Sequence, residues 1–188
     1  MHNRCNAAAA LQYCFFSIGQ NFCFGCLLHY HFRAEKEVFL HRKPNNCNVK
    51  LKRKFYEKDA SIEDQTKSLI KYQNSFRTST GTSFALKSGE YFDVVSSIAG
   101  TVTEVSNSPL FGNYVVVSND EDVKTYYYGL SEVCVEKGTK VLQGVKLGVS
   151  GTTTVDSETG IHVYFQISKA GKFLNPEKAI GTKTNELK

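Results

Sequence analysis

His162 and Tyr164 are the two side chains in this 188-residue sequence whose types and spacing come nearest to a reactive pair. They lie in Gly160-Ile161-His162-Val163-Tyr164-Phe165, which runs on into Gln166-Ile167-Ser168. Ile161, Val163 and Phe165 alternate with His162, Tyr164 and Gln166, a period of two that predicts a strand with two distinct faces. His162 and Tyr164 then share one face, about 7 Å apart along the strand. A His-x-His pair there would suit metal ligation and acid/base work, because imidazole is both a zinc ligand and a near-neutral titrant. With His-x-Tyr, the second ligand is a phenol, whose ordinary pKa is about 10.

Cys23-x-x-Cys26-x-x-His29-x-His31 is a second set with zinc-ligand types. Zinc modules place two ligand pairs around a turn and a helix, whereas these four fall within one short apolar run, so their spacing speaks for coincidence. That run, from Cys5 to Phe32, holds no Lys, Arg, Asp or Glu. It is long enough to cross a bilayer, yet Asn6, Gln12, Gln20, Asn21, His29 and His31 would make crossing costly. Two readings stand for it: a degenerate membrane anchor or signal-like segment, and an unnatural start to the chain. Arg4 precedes the run, while Arg33, Lys36, Arg42 and Lys43 follow it; the positive-inside rule would put the C-terminal part on the cytoplasmic side.

The net charge of +5 is unevenly spread. Residues 1–54 carry nine Lys or Arg against two acids, and residues 55–188 carry fourteen against sixteen. The near-neutral C-terminal part argues against a nucleic-acid partner. Five of the six cysteines also fall in the first fifty residues, so cysteine usage does not set the redox compartment. The expected division is 1–54 as an atypical leader ending in a basic linker, Lys50 to Lys54, and 55–188 as the folded domain.

Within that domain, residues 55–76 read as a helical lead-in. Ser61-Ile62-Glu63-Asp64 resembles an N-terminal cap, and Ile62, Leu69, Ile70, Tyr72 and Phe76 give a loose apolar face. After Thr78 the pattern turns to strands: 83–86, 92–97, 100–105, 114–118 and 123–128, with turns at Lys87–Glu90 and Asn119–Asp122. Residues 133–149 repeat a small apolar residue and a glycine about every three positions, as where short strands meet at tight corners.

Six landmarks occur in order: Gly81-Thr82-Ser83-Phe84-Ala85, Ala99-Gly100-Thr101-Val102, Gly112-Asn113-Tyr114-Val115-Val116, Tyr127-Tyr128-Gly129-Leu130, the glycine-corner stretch, and Gly160 to Phe165. On these, residues 76–181 resemble the lysostaphin-like (LytM-type) zinc endopeptidase family. The resemblance implies a mainly β fold, a duplicated hybrid-motif sheet with a short N-terminal helix. Family members hold zinc with a His-x-x-x-Asp motif and the second His of His-x-His. Here Ser79, Ser83 and Tyr164 stand at those three positions. Of two flanking catalytic histidines, Gly129 stands at one and His162 remains at the other. A register using Asp93 as the acid puts Gly89 at the preceding His position and fits the Gly-x-x-Phe-Ala match less well. The resemblance therefore implies a pseudoenzyme with no cofactor.

With Phe55-Tyr56 and Leu174-Asn175-Pro176-Glu177-Lys178-Ala179 added, the chain is most similar to a sporulation branch of the family, the stage II sporulation protein Q group. That likeness implies a place on the extracytoplasmic face of the forespore membrane during engulfment. It also implies a protein partner resembling stage III sporulation protein AH, reached across the intermembrane space. Strand addition at an exposed edge, 92–97 or 114–118, is the expected mode. The other reading is a peptidoglycan endopeptidase or amidase regulator that binds glycan or peptide.

Overall fold

The computed structural model describes residues 49–187. The leader readings, including Cys23, Cys26, His29 and His31, lie outside those residues. Among the described residues no helix is long and apolar enough to cross a membrane.

Period-two alternation builds the main sheet. In β11 (Val163–Lys169), Val163, Phe165 and Ile167 join the main core, while Tyr164 belongs to a separate cluster on the opposite face. β7 (Gly112–Ser118) and β8 (Val123–Val133) repeat this: Val115, Val117, Val123 and Tyr127 enter the same core. Each such side chain, fully buried, contributes about 1.5–3 kcal/mol. The sheet runs β1 (Val49–Arg53), β4 (Thr82–Leu86), β11, β8, β7, β6 (Gly100–Ser108), β9 (Lys140–Val141). β10 (Lys146–Ser150) pairs with both β8 and β5 (Asp93–Val95), and β12 (Lys172–Leu174) pairs with β11. All of these pairings are antiparallel. The glycine-corner stretch resolves as expected into short strands, with Gly138 and Gly144 at turns leading into β9 and β10. β6 runs on to Ser108, past the expected end at 105 and into what reads as loop. The chain closes with a short helix, α2 (Pro176–Ala179), capped by Asn175, whose side chain accepts from the Glu177 N–H.

Two expectations are corrected. The basic stretch is not a linker: Val49, Leu51 and Arg53 are half-buried on one face of β1, Lys50 and Lys52 are exposed on the other, and the strand pairs with β4. The alternation Val-Lys-Leu-Lys-Arg carries that signal, and the density of charge hides it. The helical lead-in at 55–76 also fails. Helix α1 spans only Ile62–Lys67 and buries no side chain. The expected cap is present, with Ser61 Oγ accepting from the Asp64 N–H. The chain then turns into a separate hairpin, β2 (Leu69–Tyr72) and β3 (Ser75–Thr78), closed at its base by Ser79 N–H donating to the Ser68 carbonyl. A six-residue helix with no buried face has little beyond its caps to hold it, whereas the hairpin buries Ile70 in the second apolar cluster.

Candidate functional site

The register of three strands assembles the predicted residues. Tyr164 on β11 lies opposite Ser83 on β4 and opposite Tyr128 on β8. Ser79, four residues before Ser83, reaches the same point: its Oγ lies 3.2 Å from Tyr164 Oη. Ser79 Oγ–H donates to the Gly81 carbonyl at 2.8 Å, so the Tyr164 hydroxyl donates to Ser79. Gln166 Nε2 in turn donates to Tyr164 Oη. Ser83 Oγ, fully buried, has no hydrogen-bond partner among the described residues. Gly81 allows this closeness, since a Cβ there would meet the Phe165 carbonyl at 2.3 Å and the Tyr164 ring at 3.0 Å.

His162 stands one alternation before Tyr164 and is completely buried. Its main chain pairs with Gly151, and its Nδ1 donates to the Gly160 carbonyl at 2.8 Å. A carbonyl only accepts, so Nε2 is the unprotonated nitrogen and receives the Thr153 hydroxyl at 3.4 Å. Burial pushes the imidazole pKa below its ordinary value; the Gly160 carbonyl and Asp156 oppose that, and Arg53 adds to it. Gly129 lies beside this pair at φ +78°, where a Cβ would meet Thr153 Cγ2 at 2.9 Å and the His162 carbonyl at 3.5 Å. A side chain at 129 is thus both strained and crowded.

The predicted residues come together, but beneath a cover that sequence reasoning missed. Ile70 of the hairpin, Val155 of the 151–160 loop, and Leu110 and Phe111 of the β6–β7 connection close over Tyr164. The Phe111 ring stacks on Tyr164, centroids 5.5 Å apart at 17°. Ser79, Ser83, His162 and Tyr164 are exposed by 1%, 0%, 0% and 4% respectively. Beneath this cover runs a polar relay. Asp156 N–H donates to Thr153 Oγ1, the Asp156 carboxylate takes two bonds from Arg53 at 2.9 and 2.6 Å, and Arg53 also donates to the Leu69 carbonyl. Burial pushes the Asp156 carboxyl up, but its bonds from Arg53 and Thr159 outweigh that and hold it below the ordinary range. Thr153-x-x-Asp156 carries a hydroxyl-to-acid spacing typical of local turns and caps, the one available signal for this loop. Among the described residues no three His, Cys, Asp or Glu side chains gather at one point.

The relay gives a pH expectation. His162 is held neutral in the folded protein, so its depressed pKa costs no stability above the unfolded value of about 6.5 and destabilises the fold progressively as pH falls below it. His162→Gln is expected to lose about 1–2 kcal/mol at pH 7 through its broken hydrogen bonds. It should then lose less than the unmodified chain on going from pH 7 to pH 5. Melting temperatures across that range check this, and parallel curves would refute it.

Peptidase family M23 matches residues 77–176 of the chain. Stage II sporulation protein Q of Bacillus subtilis (strain 168) is 40% identical over 129 residues, 69% of this chain and 46% of that protein. Peptidoglycan DD-endopeptidase ShyA of Vibrio cholerae is 37% identical over 99 residues, 53% of this chain and 22% of that protein. The chain thus spans less than half the length of either relative. A solved SpoIIQ-SpoIIIAH pore forming complex contains a chain that superposes with a TM-score of 0.71 at 38% identity, covering 73% of this chain and 87% of that one.

Proposed function

The chain belongs to peptidase family M23, and from that premise we propose that it is a non-catalytic peptidase-fold protein that binds a protein partner during endospore formation. One observation carries the non-catalytic reading: the candidate centre is a sealed cluster of hydroxyls. Catalytic zinc takes three His, Asp, Glu or Cys ligands and keeps an open position for water. Ser79, Ser83, Tyr164 and His162 offer three hydroxyls and one imidazole, with Ser79 and Tyr164 bonded to each other. This donor set does not fit zinc, and none of the four side chains is more than 4% exposed. Without the ion, nothing lowers the pKa of an attacking water toward ~7.

Likeness to stage II sporulation protein Q supports the binding role. By that likeness the protein sits on the extracytoplasmic face of the forespore membrane, and its partner resembles stage III sporulation protein AH. For strand addition, 114–118 is unsuited, because β7 lies between β6 and β8. The 92–97 stretch reduces to the three residues of β5, paired with β10. Among the described residues the longer open edge is on β6: β9 pairs only with Gly100 and Thr101, leaving Thr103 to Ser108 without a strand on that side. The N–H groups of successive strand residues point to opposite sides, so of Ser106→Pro and Asn107→Pro one removes an outward donor. That variant is expected to weaken capture of the partner ectodomain at least about tenfold, roughly 1.4 kcal/mol, without lowering the melting temperature. Unchanged binding by both variants would rule out this edge.

A second reading, a peptidoglycan-binding regulator, rests on the aromatic rings of the same sheet face. Tyr126 and Tyr128 stack at 6.2 Å and 1°, and Phe173 beside Tyr126 is 38% exposed. Flat rings of this kind suit sugar faces. Co-sedimentation with purified peptidoglycan, lost in Tyr126→Ala, would favour this reading over the first.

A further inference from the structure

Hairpin β2–β3 packs Ile70 over the hydroxyl cluster, yet little fastens it there. Its two strands form a sheet of their own, apart from the main one. All four residues of β3 are exposed, Phe76 by 65%. Among the described residues, one hydrogen bond joins 69–78 to another element, from the Arg53 guanidinium to the Leu69 carbonyl. Ile70 is the one buried residue of the two strands, with Tyr72 packed partly beside it. A cavity of about 390 Å³ lies between Leu69, Lys71, Tyr72 and Gln73 of the hairpin and residues 154–158, so these two parts of the cover do not pack closely. The turn brings strain of its own: Gln73 takes φ +53° at the first turn position, where glycine is the usual choice.

The two ends of the hairpin are fixed where its middle is not. Ser68 and Ser79 are both buried, the Ser79 N–H donates to the Ser68 carbonyl at 2.9 Å, and the Ser79 carbonyl accepts from the Tyr56 N–H at 2.9 Å. The main core takes no residue from 68–79, so loss of the hairpin leaves it intact. Two features favour opening. Ser83 Oγ, on the face of β4 beside Tyr164, is buried without a hydrogen bond among the described residues, and water admitted to the cluster would satisfy it. A detached two-stranded hairpin has little stability of its own, so it gains chain freedom on release. We propose that hairpin β2–β3 is a lid, which detaches between Ser68 and Ser79 while the main sheet stays folded and opens Ser79, Ser83 and Tyr164 to solvent. The donor set is the same under an open or a closed lid, so the proposal does not rest on the non-catalytic reading and leaves it unchanged.

Hydrogen exchange of the full chain in sub-denaturing urea tests this. The paired amides of β2 and β3 are expected to exchange through an opening that hardly depends on urea, because it exposes little surface, whereas those of β7 and β8 follow global unfolding. Ile70→Ala should speed the hairpin amides at least about tenfold, since it weakens the one buried anchor. A thiol probe reports on the floor. Thr82 and Ser83 are neighbours on β4 and both fully buried, but Ser83 lies opposite Tyr164, and Thr82 opposite Phe165 of the main core. Under native conditions iodoacetamide should modify Ser83→Cys at position 83, as mapped by mass spectrometry, and at least about tenfold faster once Ile70→Ala is added. Thr82→Cys should stay unmodified at position 82 until the whole chain unfolds. Hairpin amides that share the urea dependence of β8, hairpin exchange unchanged by Ile70→Ala, or equal labelling at 82 and 83 would each overturn the proposal. The urea comparison stands even if a cysteine variant fails to fold.

Discussion

Dialysed against micromolar zinc, the unmodified chain is expected to retain no stoichiometric metal, while Ser79→His, Ser83→Asp and Tyr164→His together should retain about one ion per molecule. The geometry favours the triple change. Ser83 and Tyr164 are directly paired across two strands, and Ser79 already touches Tyr164. Tyr164→His alone should not suffice, because one added imidazole leaves hydroxyls at the other two positions. The triple variant should be less stable than the unmodified chain without metal, because it packs a carboxylate and two further polar side chains into a fully buried site. Zinc should therefore raise its melting temperature markedly, as metal binding and folding become linked. Peptidoglycan dye release should nevertheless stay near background. Ile70, Val155 and Phe111 still cover the centre, and the strained, crowded backbone at Gly129 takes no second imidazole. Adding Ile70→Ala and Phe111→Ala should open the cleft and raise release above background. One tightly held zinc in the unmodified chain, or brisk hydrolysis by it, would show that the positions taken for metal ligands are the wrong ones.

Alternation over Ile161 to Gln166 made the shared face of His162 and Tyr164 legible, whereas Ser79 and Ser83 were set beside Tyr164 only by what the family resemblance implies. The cover was not legible, because it depends on contacts between distant segments that no local pattern announces. Ile70 sits among residues whose apolar spacing fits a loose helix as well as a strand, and only its place against Val155 and Tyr164 decides between them. Phe111 lies in a connection rich in Pro, Gly and Asn, where an aromatic reads as incidental. The Arg53–Asp156 pair joins residues 103 apart in sequence, and Arg53 is one basic residue in a run of them. The same interactions explain why the cluster of Ser79, Ser83, His162 and Tyr164 ends up closed to solvent.

That pair sets the largest expected stability effect. A chain begun at Val49 should melt cooperatively, whereas one begun at Phe55 should melt roughly 10–20 °C lower. Removing β1 uncovers the flank of β4 and takes away the half-buried Val49 and Leu51. It also takes away Arg53, whose guanidinium grips both Asp156 oxygens with only 16% and 7% of the two side chains exposed. Breaking such a buried pair from one side typically costs about 3–5 kcal/mol, because the remaining charge stays desolvated. At roughly 3–4 °C per kcal/mol for a domain of this size, that loss alone accounts for most of the shift. Arg53→Met in the longer chain should reproduce it, while Lys50→Ser and Lys52→Ser, on the exposed face, should change stability by less than about 0.5 kcal/mol. The pH dependence separates the ion pair from mere packing. Asp156 has its pKa lowered on folding, so its contribution is present above the unfolded value of about 3.9 and is lost as pH falls below it. In Arg53→Met the same carboxylate is buried without its cation and gains by taking up a proton, so the gap between the two chains should narrow as pH is lowered toward 4. A gap that holds constant with pH, or a chain from Phe55 that melts within a few degrees of the one from Val49, would mean that the Arg53–Asp156 pair does not hold β1 and the 151–160 loop together.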